Sequence, residues 1–407
     1  MRRNRQLRNL ATYLAFSAAT SAIGFSTVVV LTRLLVPTEY GLIGVFLSLL
    51  FFVAPLISLG ADGLIAVNKT VLDASHYETF QRTYIGLAYA TFGVLQALFL
   101  LAWVFGLYHD PLFAAAPMLG LVRFLASMAA TEYVADQRPF AFGAMTVLTA
   151  AFSLALTVAL IRLFDSWGGW RILAMVAADL VMLAVRYHGR LRLLVSGRWD
   201  RSFTKQILRF GLPGLLVISG GWALNESDKV VVARISGMES AGIYAAAAAL
   251  ATIMLTFNQS LTNALYPDMF RRLESGTGGT WPILLRYTAG FVGMSSVFSL
   301  LVISAYFLFA GTILPPRYTG GQSVFIALVL SGIAVSFYRP FGLAAEYFKL
   351  ARIRAVAILA GGALTIAVAT FGVRHGGILW APVGIAAGYV LSGLLLAGGL
   401  DWHRRRG

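Results

Sequence analysis

Long apolar segments separated by short polar connections follow one another along the whole chain. Each is close to the roughly 20 residues that a helix needs to cross the hydrocarbon core of a bilayer. The predicted spans are residues 10–31, 41–67, 84–107, 111–130, 140–163, 170–185, 210–232, 242–266, 285–310, 324–341, 355–373 and 378–400. The pattern predicts an all-α polytopic membrane protein with twelve transmembrane helices, and the even number places both termini on one side.

Composition supports this prediction and excludes several classes of protein. Of the 407 residues, 58% are hydrophobic and 12% are charged, whereas soluble domains average roughly 45–50% and about 25%. An ordinary soluble enzyme, a secreted disulfide scaffold and a disordered tail are therefore excluded. The chain has no cysteine, which removes disulfides and thiolate metal sites.

The motifs of several functional classes are also missing from the sequence. There is no G-x-x-x-x-G-K-[ST] loop for ATP, and the five histidines lie outside the spans without metal-ligand spacing. The predicted outer loops are shorter than those that membrane glycan polymerases generally need. Basic and aromatic residues do not alternate on a soluble platform for nucleic acid. We therefore expect no enzyme activity, no catalytic residue, no metal site, no cofactor and no nucleic-acid partner.

The formal net charge of +15 is explained mainly by topology, because lysine and arginine accumulate in cytoplasmic loops. With the N-terminus in the cytoplasm, the inner segments hold 23 of the Lys and Arg residues and the outer loops hold six. The remaining three, Arg123, Lys229 and Arg339, fall within or at the edges of spans. The asymmetry predicts that both termini are cytoplasmic.

The arginine-rich start resembles a signal peptide, but its apolar run is long, so we expect a retained first helix.

The only long basic linker divides the chain into two halves of six spans each. The predicted domains are an N-terminal six-helix bundle at 1–186, a basic cytoplasmic linker at 187–209 and a C-terminal six-helix bundle at 210–407. Two weak matches relate the halves: residues 33–41 match 234–242, and Glu132-Tyr133 matches Glu346-Tyr347. Halves with six spans each share one orientation, so we expect two parallel bundles that face a central cavity, as in alternating-access transporters.

The densest group of polar residues in any span lies in the seventh. Trp222, Asn225, Glu226 and Lys229 follow the spacing i, i+3, i+4, i+7 and would form one stripe on a helix, with Asp228 at its border. An aromatic ring beside hydrogen-bonding and charged groups suits a sugar, because the ring stacks on the pyranose and the polar groups bind its hydroxyls. The alternative is a self-neutralised ion pair that joins this helix to its neighbours.

Other charges in or near the spans are weaker candidates. Arg123 and Arg339 would suit a phosphate or pyrophosphate, or they would extend towards lipid headgroups. Asp179 is a weak candidate for ion coupling, or a satisfied buried carboxyl. Arg33 and Arg234, at matching positions of the two halves, would act as paired gate residues or only complement the C-terminal ends of their helices. We expect the amides of span eight to form interhelical hydrogen bonds; they are Asn258, Gln259 and Asn263.

The order and spacing of several short motifs give the chain a family resemblance. The motifs are Thr32-Arg33-Leu34-Leu35, Glu39-Tyr40-Gly41, Phe210-Gly211-Leu212-Pro213, Asp228-Lys229, Gly242-Ile243-Tyr244, Ala264-Leu265-Tyr266-Pro267 and Pro315-Pro316-Arg317-Tyr318. With them the chain resembles O-antigen (Wzx-type) flippases of polysaccharide biosynthesis, in the multidrug/oligosaccharidyl-lipid/polysaccharide exporter superfamily. The resemblance implies two six-helix bundles and a cationic cavity, with Arg33, Asp228 and Lys229 in or near the cavity-lining helices.

The resemblance also implies a function. We expect a multi-pass protein of the bacterial inner membrane that translocates an undecaprenyl-diphosphate-linked oligosaccharide from the cytoplasmic to the periplasmic leaflet. The product would serve O-antigen, capsule or exopolysaccharide assembly, so membrane lipids and other polysaccharide-assembly proteins are the expected partners. Many members of the family have two further C-terminal helices; with twelve predicted spans, we expect no lipid-groove role of such helices here. The alternative function is an ion-coupled small-molecule or multidrug exporter.

Overall fold

The structure is a computed structural model that describes residues 2–108, 110–188, 199–275 and 279–406, with the backbone alone for 2–11, 13, 14, 309–313, 405 and 406. Helices α1 to α7 are Arg2–Leu34, Pro37–Ile57, Gly63–Val71, Ala74–Val104, Ala116–Ala135, Pro139–Leu163 and Gly169–Arg186. Helices α8 to α13 are Arg201–Asn225, Ser227–Ser275, Thr280–Ile313, Gly321–Tyr347, Ala351–Gly376 and Trp380–Arg406. Short 3₁₀ helices precede α5 and α11, at Pro111–Ala115 and Pro316–Tyr318.

The described residues contain helices and no strand, which confirms the predicted all-α membrane fold. A helix satisfies its own backbone hydrogen bonds, and hydrocarbon offers no water to do so instead. Eleven described segments are long and apolar enough to cross a membrane. The remaining predicted span, 170–185, corresponds to α7, which has 18 residues and carries Arg171, Asp179 and Arg186. Its charge distinguishes it from the other eleven segments.

The described helices group into two compact units. Unit one consists of residues 1–30 and 49–218, and unit two of residues 31–48 and 219–407. The predicted domain boundaries at 186 and 210 stay a prediction. Of the predicted basic linker, residues 189–198, with Arg190, Arg192 and Arg198, lie outside the described residues.

Aromatic side chains form the centre of unit one. Tyr84 is fully buried, packs edge-on against Phe124 with the ring centroids 5.0 Å apart, and donates a hydrogen bond to the Ser58 carbonyl at 2.7 Å. Phe203 of α8 packs against Phe80 of α4 in the same core.

At the start of α4, Asp73 caps the helix. Its carboxylate accepts hydrogen bonds from backbone amides, above all that of His76, and these bonds lower the pKa of the Asp73 carboxyl.

In unit two, residues 31–48 pack closely against the start of α9. A Cβ added to Gly41 would lie 2.1 Å from the Met238 carbonyl oxygen, and one added to Gly242 would lie 1.7 Å from the Pro37 carbonyl oxygen. Only glycine allows the two backbones to approach so closely. Within α9, shortly before Gly242, Gly237 has φ = 85° and interrupts the helix. The two segments in contact, 33–41 and 234–242, are those that match between the halves of the sequence.

The chain before α11 also holds residues 31–48 in place. The Arg317 guanidinium donates a hydrogen bond to the Thr32 carbonyl at 2.9 Å and another to the Arg33 carbonyl. The Tyr318 hydroxyl donates to the Leu35 carbonyl at 3.0 Å, and its ring packs edge-on against Tyr40. These bonds hold the carbonyls at and just beyond the C-terminal end of α1, a place where helices need partners from outside the helix.

The close backbone approach predicts which glycine tolerates a methyl group. Gly242→Ala places its Cβ against backbone, so the segments must separate, and we expect a loss of about 1–3 kcal/mol, as for overpacked sites. Gly293→Ala in α10 is the control, because its added Cβ meets nothing within 4 Å. The thermal unfolding midpoint of the purified protein should fall for the first variant and stay unchanged or rise for the second, because alanine favours a helix interior over glycine. Equal midpoints would contradict the close approach.

Candidate functional site

The polar residues of the seventh predicted span lie where α8 ends and α9 begins. Asn225 is the last residue of α8, Ser227 is the first of α9, and only Glu226 between them is non-helical. The Asp228 carboxylate accepts the backbone amide of Lys229 at 2.8 Å. In a regular helix that amide would bond the Asn225 carbonyl, which instead lies 3.5 Å from the Lys229 ammonium. The side chains of the cluster thus complete the backbone hydrogen bonds of the break.

One cation and two carboxylates meet at this junction. The Lys229 ammonium lies 3.0 Å from Glu226 and 3.4 Å from Asp228. The second Asp228 oxygen accepts a 2.6 Å hydrogen bond from the buried Tyr244 hydroxyl. Asp228 is almost fully buried, whereas the Glu226 side chain keeps 24% of its exposure. A buried ion group requires such compensation, because an unpaired charge in a low-dielectric interior is costly.

Two further helices fix the position of this junction. The Trp222 indole donates a hydrogen bond to the Ser48 carbonyl of α2 at 2.7 Å, and the Ser48 hydroxyl donates to the Glu226 carbonyl at 2.6 Å. The Tyr389 hydroxyl of α13 donates to the Asn225 side-chain oxygen at 2.7 Å. Residues 222, 225, 226, 228 and 229 therefore lie together. We name them the junction cluster.

The predicted single stripe on an unbroken helix is wrong in its geometry. The i, i+3, i+4, i+7 spacing assumes continuous helix through position 226, and the chain leaves the helix at that residue. The physical reason is the capping of the Lys229 amide by Asp228, which replaces a main-chain bond. The residues still come together, because the interruption is one residue long. The sugar-binding role and the structural role stay open as predictions.

Arg123 and Asp179 form an ion pair in unit one. The guanidinium lies 3.0 Å from the carboxylate, whose side chain is 8% exposed, whereas Arg123 is about half exposed. Both line a cavity of about 430 Å³, together with Arg171, which donates to the Ser153 hydroxyl at 2.8 Å. Sequence spacing does not reveal this pair, because its members are 56 residues apart on α5 and α7. The phosphate role of Arg123 and the ion-coupling role of Asp179 stay predictions.

The other candidate arginines are spread over unit two. Arg33 is exposed at the end of α1, and its carbonyl accepts the bond from Arg317. Arg234 is exposed in α9 before Gly237. Arg339 is half-buried in α11 and lines a cavity distinct from the junction cluster. The structure places none of these three side chains in the junction cluster, and their proposed roles stay predictions.

The side-chain amides of the eighth predicted span form hydrogen bonds both between helices and within one helix. Asn258 is fully buried, donates to the Gly332 carbonyl of α11 and accepts hydrogen bonds from Ser295 and Ser336. It therefore connects three helices, as predicted. Gln259 instead donates to Asn263 on its own helix at 3.0 Å. For Gln259, the described hydrogen bond is thus not an interhelical one.

A buried carboxylate network in unit one has no counterpart among the predicted sites. Glu132 is 3% exposed and accepts hydrogen bonds from Tyr77, Gln81 and Arg186 at 2.8–2.9 Å. The Arg186 guanidinium also lies over the Tyr133 ring, 4.4 Å from its centroid. Glu132 lies just beyond the predicted span four. A glutamate at that place in the sequence predicts an exposed side chain, because the sequence does not show the distant partners that bury it.

The two glutamates of the second sequence match lie at different distances from the turn that follows their helix. After α5 the backbone turns with a positive φ at Gln137, and after α11 it does so at Lys349. Glu132 precedes its turn by five residues, whereas Glu346 precedes its own by three. The two glutamates are therefore displaced by two positions, about 200° around a helix.

Comparisons with known proteins agree on the class of this chain. The family model described as "Polysaccharide biosynthesis protein" matches residues 30–275. Among the curated proteins, none matches the sequence.

Three solved structures are similar in fold. A multidrug resistance MATE family transporter of the MOP superfamily, in an inward-facing conformation, has a TM-score of 0.65 and 13% identity over 97% of this chain and 94% of its own. The lipid II flippase MurJ, in an inward closed conformation, has a TM-score of 0.62 and 12% identity over 95% and 87%. A MOP superfamily transporter from Pyrococcus furiosus has a TM-score of 0.56 and 14% identity over 99% and 94%. At these identities the likeness shows the fold.

The charge balance of the junction cluster predicts the effect of removing its cation. Lys229→Met leaves Glu226 and Asp228 without their partner, and breaking a buried pair costs about 3–5 kcal/mol. The thermal unfolding midpoint of the purified protein should therefore fall clearly. Arg234→Met is the matched control, since Arg234 is an exposed cation on the same stretch of α9, and its midpoint should stay near the wild-type value. Similar midpoints for both variants would refute the compensating role of Lys229.

Proposed function

The chain belongs to the family of polysaccharide biosynthesis proteins, and from this premise we propose that it flips a lipid-linked oligosaccharide across a membrane. The substrate is an undecaprenyl-diphosphate-linked repeat unit, which moves from the cytoplasmic to the periplasmic leaflet of the bacterial inner membrane by alternating access. The chain acts as a transporter without catalytic residues. Membrane lipids and other polysaccharide-assembly proteins are its partners.

One observation carries the proposal beyond family membership. The junction cluster holds a half-buried indole, an amide, two carboxylates and an ammonium group between two membrane-spanning helices. Charges at such a depth cost several kcal/mol unless they serve a purpose. A ring beside hydrogen-bonding groups is suited to a sugar, whose flat apolar face stacks and whose hydroxyls bind. The fold shared with the lipid II flippase MurJ supports the same class of cargo.

Deletion of the gene tests the proposal in cells. We expect loss of surface polysaccharide and accumulation of the lipid-linked repeat unit on the cytoplasmic side. In complementation, Trp222→Phe and Trp222→Leu both lose the indole hydrogen bond to Ser48. Trp222→Phe keeps an aromatic ring and should restore most polysaccharide, whereas Trp222→Leu should restore less than a tenth at equal membrane levels. Polysaccharide is measured by gel staining and the lipid intermediate by mass spectrometry.

Two results would contradict this function. Normal polysaccharide in a clean deletion without a redundant gene would refute flipping, and drug resistance on overexpression would favour a small-molecule exporter. Equal complementation by Trp222→Leu and Trp222→Phe would remove the stacking role of the indole.

The proposed orientation, with both termini in the cytoplasm, has a direct test because the chain has no natural cysteine. Ser166→Cys introduces a thiol in the exposed turn between α6 and α7, and Ser275→Cys introduces one at the exposed end of α9. A membrane-impermeant maleimide should label the first variant in intact cells and the second only after permeabilisation. The opposite pattern would invert the topology.

A further inference from the structure

The turn between α2 and α3, residues 58–62, packs backbone against backbone on the first part of α8. A Cβ added to Gly211 would lie 2.1 Å from the Leu59 carbonyl oxygen, and one added to Gly60 would lie 3.1 Å from that of Gly211. The turn and α8 up to residue 218 belong to unit one. Leu59 and Gly60 have positive φ, 52° and 66°, and for leucine this conformation is strained. Other interactions must therefore hold the turn in this shape.

A short chain of hydrogen bonds holds the turn. The Tyr84 hydroxyl of α4 donates to the Ser58 carbonyl at 2.7 Å. The Ser58 hydroxyl lies 2.7 Å from an Asp62 carboxylate oxygen and 3.1 Å from the Pro55 carbonyl oxygen. A hydroxyl has one hydrogen to donate and an ionised carboxylate has none, so only one of these two contacts is then a hydrogen bond. A proton on Asp62 supplies the second hydrogen, because the carboxyl then donates to Ser58 while Ser58 donates to Pro55.

Asp62 differs from the buried carboxylates of unit one, because no ion pair among the described residues includes it. Asp179, for example, faces Arg123, whereas the described side-chain partner of Asp62 is the Ser58 hydroxyl. Asp62 stands at the N-cap of α3, yet its carboxylate accepts no capping hydrogen bond. The turn lies outside the membrane-spanning segments. Burial raises the pKa of the Asp62 carboxyl, and the bond from Ser58 offsets only part of this effect.

The titratable groups on the surrounding elements do not neutralise Asp62. Tyr84 of α4 uses its hydrogen for a carbonyl of the turn. Lys69 of α3 and Asp136 of α5 pair with each other, 3.8 Å apart. The residues of α8 that meet the turn are uncharged, and Arg209 before them is exposed. The half of α2 that leads into the turn carries no titratable side chain.

We propose that residues 58–62 form a proton-dependent clasp on α8, in which Asp62 holds a proton while the turn lies on the helix and releases it when the turn separates. The proton completes both contacts of the Ser58 hydroxyl. An ionised carboxylate is more stable in water, and it gains water when the turn leaves α8. Since the clasped state binds the proton more tightly, acid favours the clasp and a rising pH opens it. The clasp does not depend on the proposed function; only the cytoplasmic source of the proton follows from the proposed orientation.

Hydrogen exchange of the full chain in phosphatidylcholine nanodiscs tests the clasp. The readout is the protection factor of the amides of residues 59–61, which bond carbonyls of residues 55–58, after correction for the chemical exchange rate at each pH. In the wild type it should fall about tenfold from about pH 5 to about pH 8, because one pKa unit changes the equilibrium tenfold. Asp62→Asn keeps a neutral donor beside Ser58, so its protection should stay high throughout. Glu78→Gln, at an exposed carboxylate of α4, is the control and should retain the wild-type profile.

Four results would overturn the proposal. They are a wild-type protection factor that does not change with pH, an equal change in Asp62→Asn, protection in Asp62→Asn as low as that of the wild type at about pH 8, and protection that follows the sodium concentration at constant pH. The last would identify a metal cation in place of the proton.

Gly211→Ala tests the part of α8 in the clasp. Its Cβ meets the Leu59 carbonyl, so the turn should stay open and its protection should be low at both pH values. A wild-type pH profile in this variant would refute packing on α8 as the contact that the proton controls.

Discussion

A charge in hydrocarbon is stable only beside a partner, and this constraint governs how the polar residues of the chain are arranged. Asp179 faces Arg123, Glu132 faces Arg186, and Lys229 faces two carboxylates. Each pair joins elements or stabilises a break in one, so compensation of charge also determines helix positions. Polar positions in the spans therefore stabilise the fold, whatever ligand they also contact.

The junction cluster both stabilises a helix break and neutralises charge. Asp228 completes the backbone of the helix break and neutralises Lys229, while Tyr244 occupies its second oxygen. Glu226 is the more accessible carboxylate of the two. A ligand that reached the cluster would thus contact Glu226 first. It would weaken the Glu226–Lys229 ion pair and leave intact the hydrogen bond from the Lys229 amide to Asp228. A break in a membrane helix is stable here because side chains replace the missing main-chain bond.

Local pattern located most of the helices and did not reveal their partners. The predicted span 41–67 was wrong as a single helix, because the chain turns after Ile57 and a second helix begins at Gly63. The apolar periodicity that predicted span six found α7, Gly169–Arg186, despite its three charges. It also brought residues 222 to 229 to attention, since they are neighbours in sequence. It could not reveal the capping by Asp228, because a stripe drawn on an ideal helix assumes that every amide bonds four residues back.

Contacts over long sequence separations were beyond such reasoning. Arg123 and Asp179 looked isolated, because helical spacing relates only residues three or four positions apart. The weak match of Glu132 with Glu346 stays a prediction, since Glu132 precedes the turn at Gln137 by five residues and Glu346 precedes the turn at Lys349 by three. Arg354 falls between the predicted spans 324–341 and 355–373, yet it lines a cavity. Partner identity depends on packing of helices, and sequence spacing carries no information on that.

The position of residues 31–48 in unit two has a consequence for biosynthesis. This segment is made early, and the residues that hold it, such as Met238 and Arg317, are made some 200 to 280 positions later. Its contacts are among the most non-local of the chain, and such contacts form late because long loops must close first. Only residues 31–48 must therefore wait for their neighbours until translation of the second half is well advanced, because residues 1–30 and 49–57 belong to unit one, whose helices are made first. Gly41, which later admits the close backbone approach, offers no side chain to a wrong partner in the meantime.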